Sequence, residues 1–299
     1  MLRQIARQIR RIVLLALLGG LLAATMVRLS PGFGVDEQDV SSSLSQESHQ
    51  ALRAEHMADS NIARFYLHYL GGLFRGDFGF SRSLNRPISE LLQERLPETL
   101  KSVAYGMAGG IALGLALALA TVFWRVRAAD LIAGAWSGLF LSLPATILAL
   151  MFLWTGANGK WAIVLLVFPH VYRYSKNLLI ESMACPHVLA ARARGASKTR
   201  ILLAHIVGPV TPQLFAVAGV SASLAFGASI PIEVICDVPG IGQLVWKAAL
   251  GRDLPLLVTL TILVSLMTMT INAAADLLIT AWHGVSPGTL PETLPGGAT

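Results

Sequence analysis

Charge is what this chain of 299 residues has least of. Only 13% of it is Asp, Glu, Lys or Arg, about half the share usual in a soluble domain, while 54% is hydrophobic. That balance excludes an ordinary soluble enzyme and predicts a polytopic membrane protein. Catalytic signatures are absent as well: there is no H-E-x-x-H, no G-x-S-x-G and no paired-carboxylate cleft. "GASKT" fails as a phosphate loop, because G-x-x-x-x-G-K-[ST] requires glycine where Arg192 and Ser197 stand. The chain is therefore not expected to be an enzyme or to hold a cofactor or metal, and any energy source lies in other subunits. Its net charge of +6 is scattered between apolar runs rather than gathered on one water-facing face, so no nucleic-acid partner is expected.

What the sequence does have is long apolar runs. A bilayer core of about 30 Å takes roughly 20 helical residues. Six segments qualify: Ile12 to Leu29, Ser102 to Trp124, Leu131 to Thr155, Trp161 to Ile180, Val210 to Ile230 and Leu256 to Trp282. The first follows Arg3, Arg7, Arg10 and Arg11; no A-x-A site follows it, so an uncleaved span is favoured over a signal peptide. With the amino terminus in the cytoplasm, the short connections holding Arg125, Arg127, Arg192, Arg194, Lys198 and Arg200 are cytoplasmic too, as the positive-inside rule requires. The chain then divides into residues 1–29 (cytoplasmic terminus and first span), 30–98 (external region), 99–282 (a five-span core) and 283–299 (cytoplasmic tail). Cys185 falls on the inner side and Cys236 on the outer, which argues against a disulfide between them.

The external region begins polar and turn-rich ("GVDEQDVSSSLSQES"). It continues with Ile62, Phe65, Tyr66, Tyr69, Leu70 and Leu73 at helical spacing. In "RPISELLQERLPETL", Ile88, Leu91, Leu92 and Leu96 share a face, predicting a helix along the outer membrane surface that turns into the second span at Pro97. "RGD" at Arg75 to Asp77 reads as a glycine-flanked turn.

In the second span Gly106, Gly110, Gly114 and Ala118 recur every fourth residue, a smooth stripe for tight helix packing. The fifth span, rich in Gly, Ala and Ser, reads as a packing helix ahead of a hydroxyl-lined path. Polar groups inside the spans are few. Arg173, Asn177 and Glu181 share one face beside Lys176, with headgroup snorkelling and a functional role both open. Asn272 and Asp276, also four apart, suit an interhelical hydrogen bond better than proton coupling, because Asp276 lies near the span's inner end.

The segment "AARARGASKTRILLAHIVGP" interrupts this greasy pattern. Val188 to Arg194 can form a short helix, Gly195 can close it in a left-handed conformation, and Ser197 can cap a helix from Lys198 that Pro209 interrupts. A topogenic loop needs the arginines but not Ala190, Ala191 and Ala193 or the glycine. The shape suits a plug for a groove on a cytoplasmic partner.

These residues resemble the EAA loop of permease subunits in binding-protein-dependent ABC importers. Leu189 stands where that motif has an acid, and the tail to Pro209 is one residue longer than usual. "RLSPG", "YLGGLFRGDFGFSRSLNRPISELLQERLPETL" and "PIEVICDVPGIGQLVWKAALGRDLP" resemble the B-type subunit of dipeptide and oligopeptide permeases. "GANGK" looks short for that family, and "AWHGVSPG" replaces its usual Asp-Pro-Arg ending.

The resemblance implies an all-α, six-span type I ABC importer permease with an extended periplasmic region, in the bacterial inner membrane. Its expected partners are a second homologous permease subunit, two cytoplasmic ATPases that hold ATP and Mg, an extracytoplasmic substrate-binding protein, and lipid. Val188, Ala190, Ala191, Arg192, Arg194 and Gly195 would couple to the ATPase. An external loop with Glu233, Pro239, Gly240, Gly242, Arg252 and Asp253 would gate the outer mouth. Peptides are the expected cargo, with nickel chelates and glutathione as alternatives within the same class. Two other classes remain. A proton-coupled carrier would use Asp276 or the Arg173 and Glu181 face, and an accessory subunit would only anchor an enzyme.

Overall fold

The computed structural model describes residues 2–29, 66, 69–73, 75–124 and 127–285. "GVDEQDVSSSLSQES", Ile62, Phe65 and most of the expected tail lie outside them. The chain forms two compact units, one of residues 1–101 and 237–270, the other of residues 102–236 and 271–299.

In the first unit, α1 (Leu2–Leu29) packs on the start of α9 (Leu254–Val285). The approach is close: a Cβ on Gly20 would lie 2.7 Å from Ile262 Cγ1 and 2.8 Å from Tyr66 Oη. Tyr66 donates to the Leu17 carbonyl at 2.5 Å, and Tyr69 shares a hydrogen bond with Thr259. Burial pushes the Tyr69 phenol up to about 12. The RGD segment forms the expected turn, with Gly76 at φ +81° and Asp77 Oδ1 accepting from Gly79 N at 2.9 Å. A small hairpin follows, β1 (Phe80–Ser81) against β2 (Arg86–Pro87), antiparallel, with Phe80 opposite Pro87.

The helix face expected to lie on the membrane surface is buried in the protein instead. Ile88, Leu91 and Leu92 are buried against Ile241, Leu244 and Ala248 of α8 (Ile241–Leu250) and Leu256 and Leu260 of α9, not laid on lipid. Nor does the helix end at Pro97, which lies inside α2 (Ile88–Trp124). An interior proline costs about 3 kcal/mol, whereas each fully buried aliphatic side chain contributes about 1.5–3 kcal/mol, so the packed face outweighs the lost hydrogen bond.

In the second unit the glycine stripe of α2 meets α5 (Lys160–Met183). A Cβ on Gly110 would lie 2.6 Å from Val167 Cβ, and one on Gly114 would lie 2.7 Å from Val171 Cβ and 2.9 Å from the Phe168 carbonyl oxygen. Ile163 closes in on Gly106 in the same way. Tyr105 and Trp161 extend the contact edge to face, with ring centroids 5.5 Å apart.

The third expected span is not one helix. The segment from Leu131 to Thr155 splits into α3 (Arg127–Ser142) and α4 (Ala145–Thr155), bent by 100°. Pro144 lacks an N–H and keeps Leu143 out of the helical region, so α3 ends there. Among the described residues three helical stretches are long and apolar enough to cross a bilayer: Ile88–Phe123, Ala204–Ile235 and Leu254–Leu277. The bent pair makes a fourth if it counts as one span. The apolar part of α1, Ile12–Met26, is shorter, and α5 carries Lys160, Arg173, Lys176 and Glu181.

Candidate functional site

The basic, glycine-broken segment is the most fully specified element of the second unit. Its helix, α6 (Pro186–Ala193), begins two residues before Val188, with Pro186 at a position where a missing N–H costs nothing. Gly195 takes φ +81°. Gly195 N donates to the Arg192 carbonyl at 2.9 Å and Ala196 N to the Ala191 carbonyl at 3.2 Å. That bond pair is the Schellman stop, which satisfies carbonyls a helix end otherwise leaves orphaned. Arg194 Nε adds a bond to the Ala190 carbonyl at 3.3 Å, a cation at the negative helix end.

The faces of α6 divide cleanly. Val188 and Ala191 are buried against Tyr172, Leu179, Ile201 and Ile206, whereas Leu189, Ala190, Arg192, Ala193, Arg194 and Gly195 are exposed. Val188 and Ala191 are thus anchors, and any groove on a partner meets the other residues. Leu189, 54% exposed where the motif has an acid, puts an apolar group on that outer face.

Beyond Gly195, Ser197 Oγ accepts from Arg200 N at 3.3 Å, the cap its position suggested. Pro209 does not interrupt the helix that follows. Residues Lys198–Arg200, a π-helical stretch Ile201–Val207 and α7 (Gly208–Ile235) run on continuously. Pro209 has no N–H for the carbonyl four residues back, that of His205. His187 Nε2 lies 3.0 Å from this oxygen and fills the place, which assigns the proton to Nε2. The contact ties α6 to the π stretch. A π turn holds one residue more than an α turn.

The expected gate residues do not form one loop. Glu233 lies inside α7 and is 1% exposed; Gly242 lies in the first turn of α8. In the first unit, Thr99 Oγ1 caps α8 by accepting from Ile241 N at 2.8 Å. Arg95 donates to Gln243 at 3.0 Å, and Gln243 donates to Asp237. Pro239 is exposed and Gly240 buried, and Arg252 sits at φ +50°. Asp253 is a hub. Its Oδ2 accepts from Ser81 Oγ at 2.6 Å, Ser83 N at 3.0 Å and Ser83 Oγ at 2.9 Å, while Oδ1 caps α9 through Leu256 N at 3.2 Å.

Of the polar groups within the spans, Arg173, Asn177 and Glu181 are exposed and share a face. Lys176 instead pairs with Asp130 of α3 and lies over the Tyr172 ring at 5.8 Å. Asn272 Oδ1 accepts from Ser223 Oγ of α7 at 2.5 Å, an interhelical hydrogen bond of the expected kind, and Asp276 is exposed one turn on. Cys185 and Cys236 are both free thiols.

Residues 110–283 match the family described as binding-protein-dependent transport system inner membrane component. The chain belongs to that family. Among relatives of this inner membrane component, the glutathione transport system permease protein GsiC of Salmonella choleraesuis is 24% identical over 234 residues, 72% of this chain and 76% of that one. The oligopeptide transport system permease protein OppB of Haemophilus influenzae is 28% identical over 149 residues, 49% and 44% of the two chains. A chain of the inward-facing MetNI methionine ABC transporter superposes with a TM-score of 0.53 at 21% identity, over 64% of this chain and 96% of that one, so the two share a fold.

Sequence reasoning missed three features of this inner membrane component. The Lys176 and Asp130 pair and the Asp253 hub join residues too distant in sequence to carry a local signal. The break at Pro144 did have one, the Ser-Leu-Pro run at its hinge. Where α3 breaks, a cavity of about 440 Å³ opens, walled by Leu143, Pro144, His170, Ser223, Gly227 and Ala228 among others.

Proposed function

We propose that this chain is the permease subunit of a type I ATP-binding-cassette importer and forms half of a translocation pore for di- or oligopeptides. It works with a second permease subunit, two cytoplasmic ATPases holding ATP and Mg, and an external binding protein that delivers the cargo. In this reading the chain has six spans, with residues 30–98 as a periplasmic region, 99–282 as the core and 283–299 as a cytoplasmic tail. The bent α3 and α4 pair serves as the third span and the amphipathic α5 as the fourth, its cost lowered by burial within the protein. Pro239, Gly240, Gly242 and Arg252 lie at the outer mouth, with Asp253 fixing the hairpin beside them. Kinship with glutathione and oligopeptide permeases favours peptides over other solutes.

The observation that carries the reading is the two-faced α6. One side is locked into the core through Val188 and Ala191, and the other offers Ala190, Arg192 and Arg194 outward on a stop that fixes the helix end. Such an element transmits force as a lever: closure of the ATPase pair pushes on the outer face, and the buried face passes the motion to α5 and the π stretch. A cysteine at Ala190 should crosslink to the ATPase subunit in membranes of cells making all subunits, and one at the buried Val188 should not. Equal yields from both positions, or none from either, would contradict the assignment.

A further inference from the structure

The cavity at the α3 break has features that helix packing does not explain. Its volume of about 440 Å³ falls within the roughly 300–1,000 Å³ of small-molecule sites. Phe140, Leu143 and Pro144 wall it on the side of the break, and His170, Ser223 and Gly227 lie on the helices beyond. Among the described residues, no Asp, Glu, Lys or Arg lines it. Each of the two polar side chains has one contact within the protein: His170 Nδ1 lies 3.3 Å from the Leu166 carbonyl oxygen, and Ser223 donates to Asn272. Gly227 is the telling position. On the same helix Gly219 is pressed against Ala275, as a packing glycine should be, yet a Cβ on Gly227 would meet nothing within 4 Å. The lack of a side chain there keeps space open instead of bringing helices together.

We propose that this cavity is a side-chain subsite of the permease itself, which admits an uncharged, apolar side chain of the passing peptide. The proposal rests on the peptide reading above. An apolar side chain gains by leaving water for this lining. A charged one would lose its hydration and find no counter-charge.

Gly227→Leu fills the cavity from a position with room for the new side chain. The test uses the complete transporter, reconstituted in vesicles with its binding protein and ATPases, and the labelled peptides Ala-Phe-Ala and Ala-Ala-Ala. In the variant, uptake of Ala-Phe-Ala should fall about tenfold or more relative to that of Ala-Ala-Ala. Gly134→Leu, also in open space but away from the cavity, should leave the ratio unchanged. Equal loss of both peptides, or an unchanged ratio as a lipid-filled pocket would give, overturns the subsite. So does failure of the variant to co-purify with the second permease subunit, which would make that subunit the occupant. Uptake of neither peptide by the wild type overturns the peptide reading and the subsite with it; a competent wild type with an indifferent variant overturns the subsite alone.

Discussion

Replacing Gly195 separates backbone strain from steric fit. The residue holds φ +81°, and a Cβ built on it meets nothing within 4 Å, so any substitution is resisted by the left-handed conformation alone. For alanine that resistance is about 1–2 kcal/mol. A cost of this size weights the helix end away from its stop by a factor of about 5 to 30. Asparagine tolerates the left-handed region better than alanine although it is larger, and valine tolerates it least. The expected order of function is therefore Gly, Asn, Ala, Val, which is not the order of size. Uptake per ATP hydrolysed, measured in vesicles at matched amounts of inserted chain, should fall in that order. Normal coupling in Gly195→Val, or Gly195→Asn behaving worse than Gly195→Ala, would refute the argument.

Other positions respond through different physics. Gly114→Ala should lower the thermal midpoint in detergent, because the new Cβ sits 2.9 Å from the backbone oxygen of Phe168, an overpacking worth about 1–3 kcal/mol. Gly134→Ala, facing open space, should not, and equal effects would contradict the packed stripe. Asn272→Ala should cost about 0.5–1.5 kcal/mol through its lost bond to Ser223, and a double-mutant cycle with Ser223→Ala should show coupling; strict additivity would deny the contact. Burial raises the Tyr69 phenol to about 12, so its neutral form favours the folded state. That contribution is complete below the ordinary value near 10 and is lost as pH rises through about 12. Comparing tyrosinate absorbance with that of Tyr69→Phe should place the missing increment at the high end of the titration, not near 10.

The legible parts of this fold were those written in local spacing. Gly106, Gly110 and Gly114 announced a close helix contact, and "RARGAS" announced a helix stop at Gly195, since both depend on residues within a turn or two. Proline misled in both directions. Pro97 reads as a corner but is carried through by the buried Ile88, Leu91 and Leu92, while Pro144 sits inside a run greasy enough to read as one span. The decisive variable was how much packing surrounds each proline, which the sequence does not state. At the candidate site, the outward residues of α6 were legible as a group, but the inward turn of Val188 and Ala191 depends on Ile201 and Ile206 beyond the stop. The dispersal of the gate residues was hidden for the same reason: Glu233 belongs to a helix, and Asp253 is claimed by serines of a distant hairpin.

On the proposed function, this chain moves solute only with energy received through α6 from partner ATPases. The most direct test compares solute uptake by vesicles holding the purified chain alone under an imposed pH gradient with uptake by vesicles holding the complete complex, its binding protein and enclosed ATP. No uptake is expected in the first and ATP-dependent uptake in the second. Uptake driven by the pH gradient in the chain alone, abolished by Asp276→Asn, would contradict it.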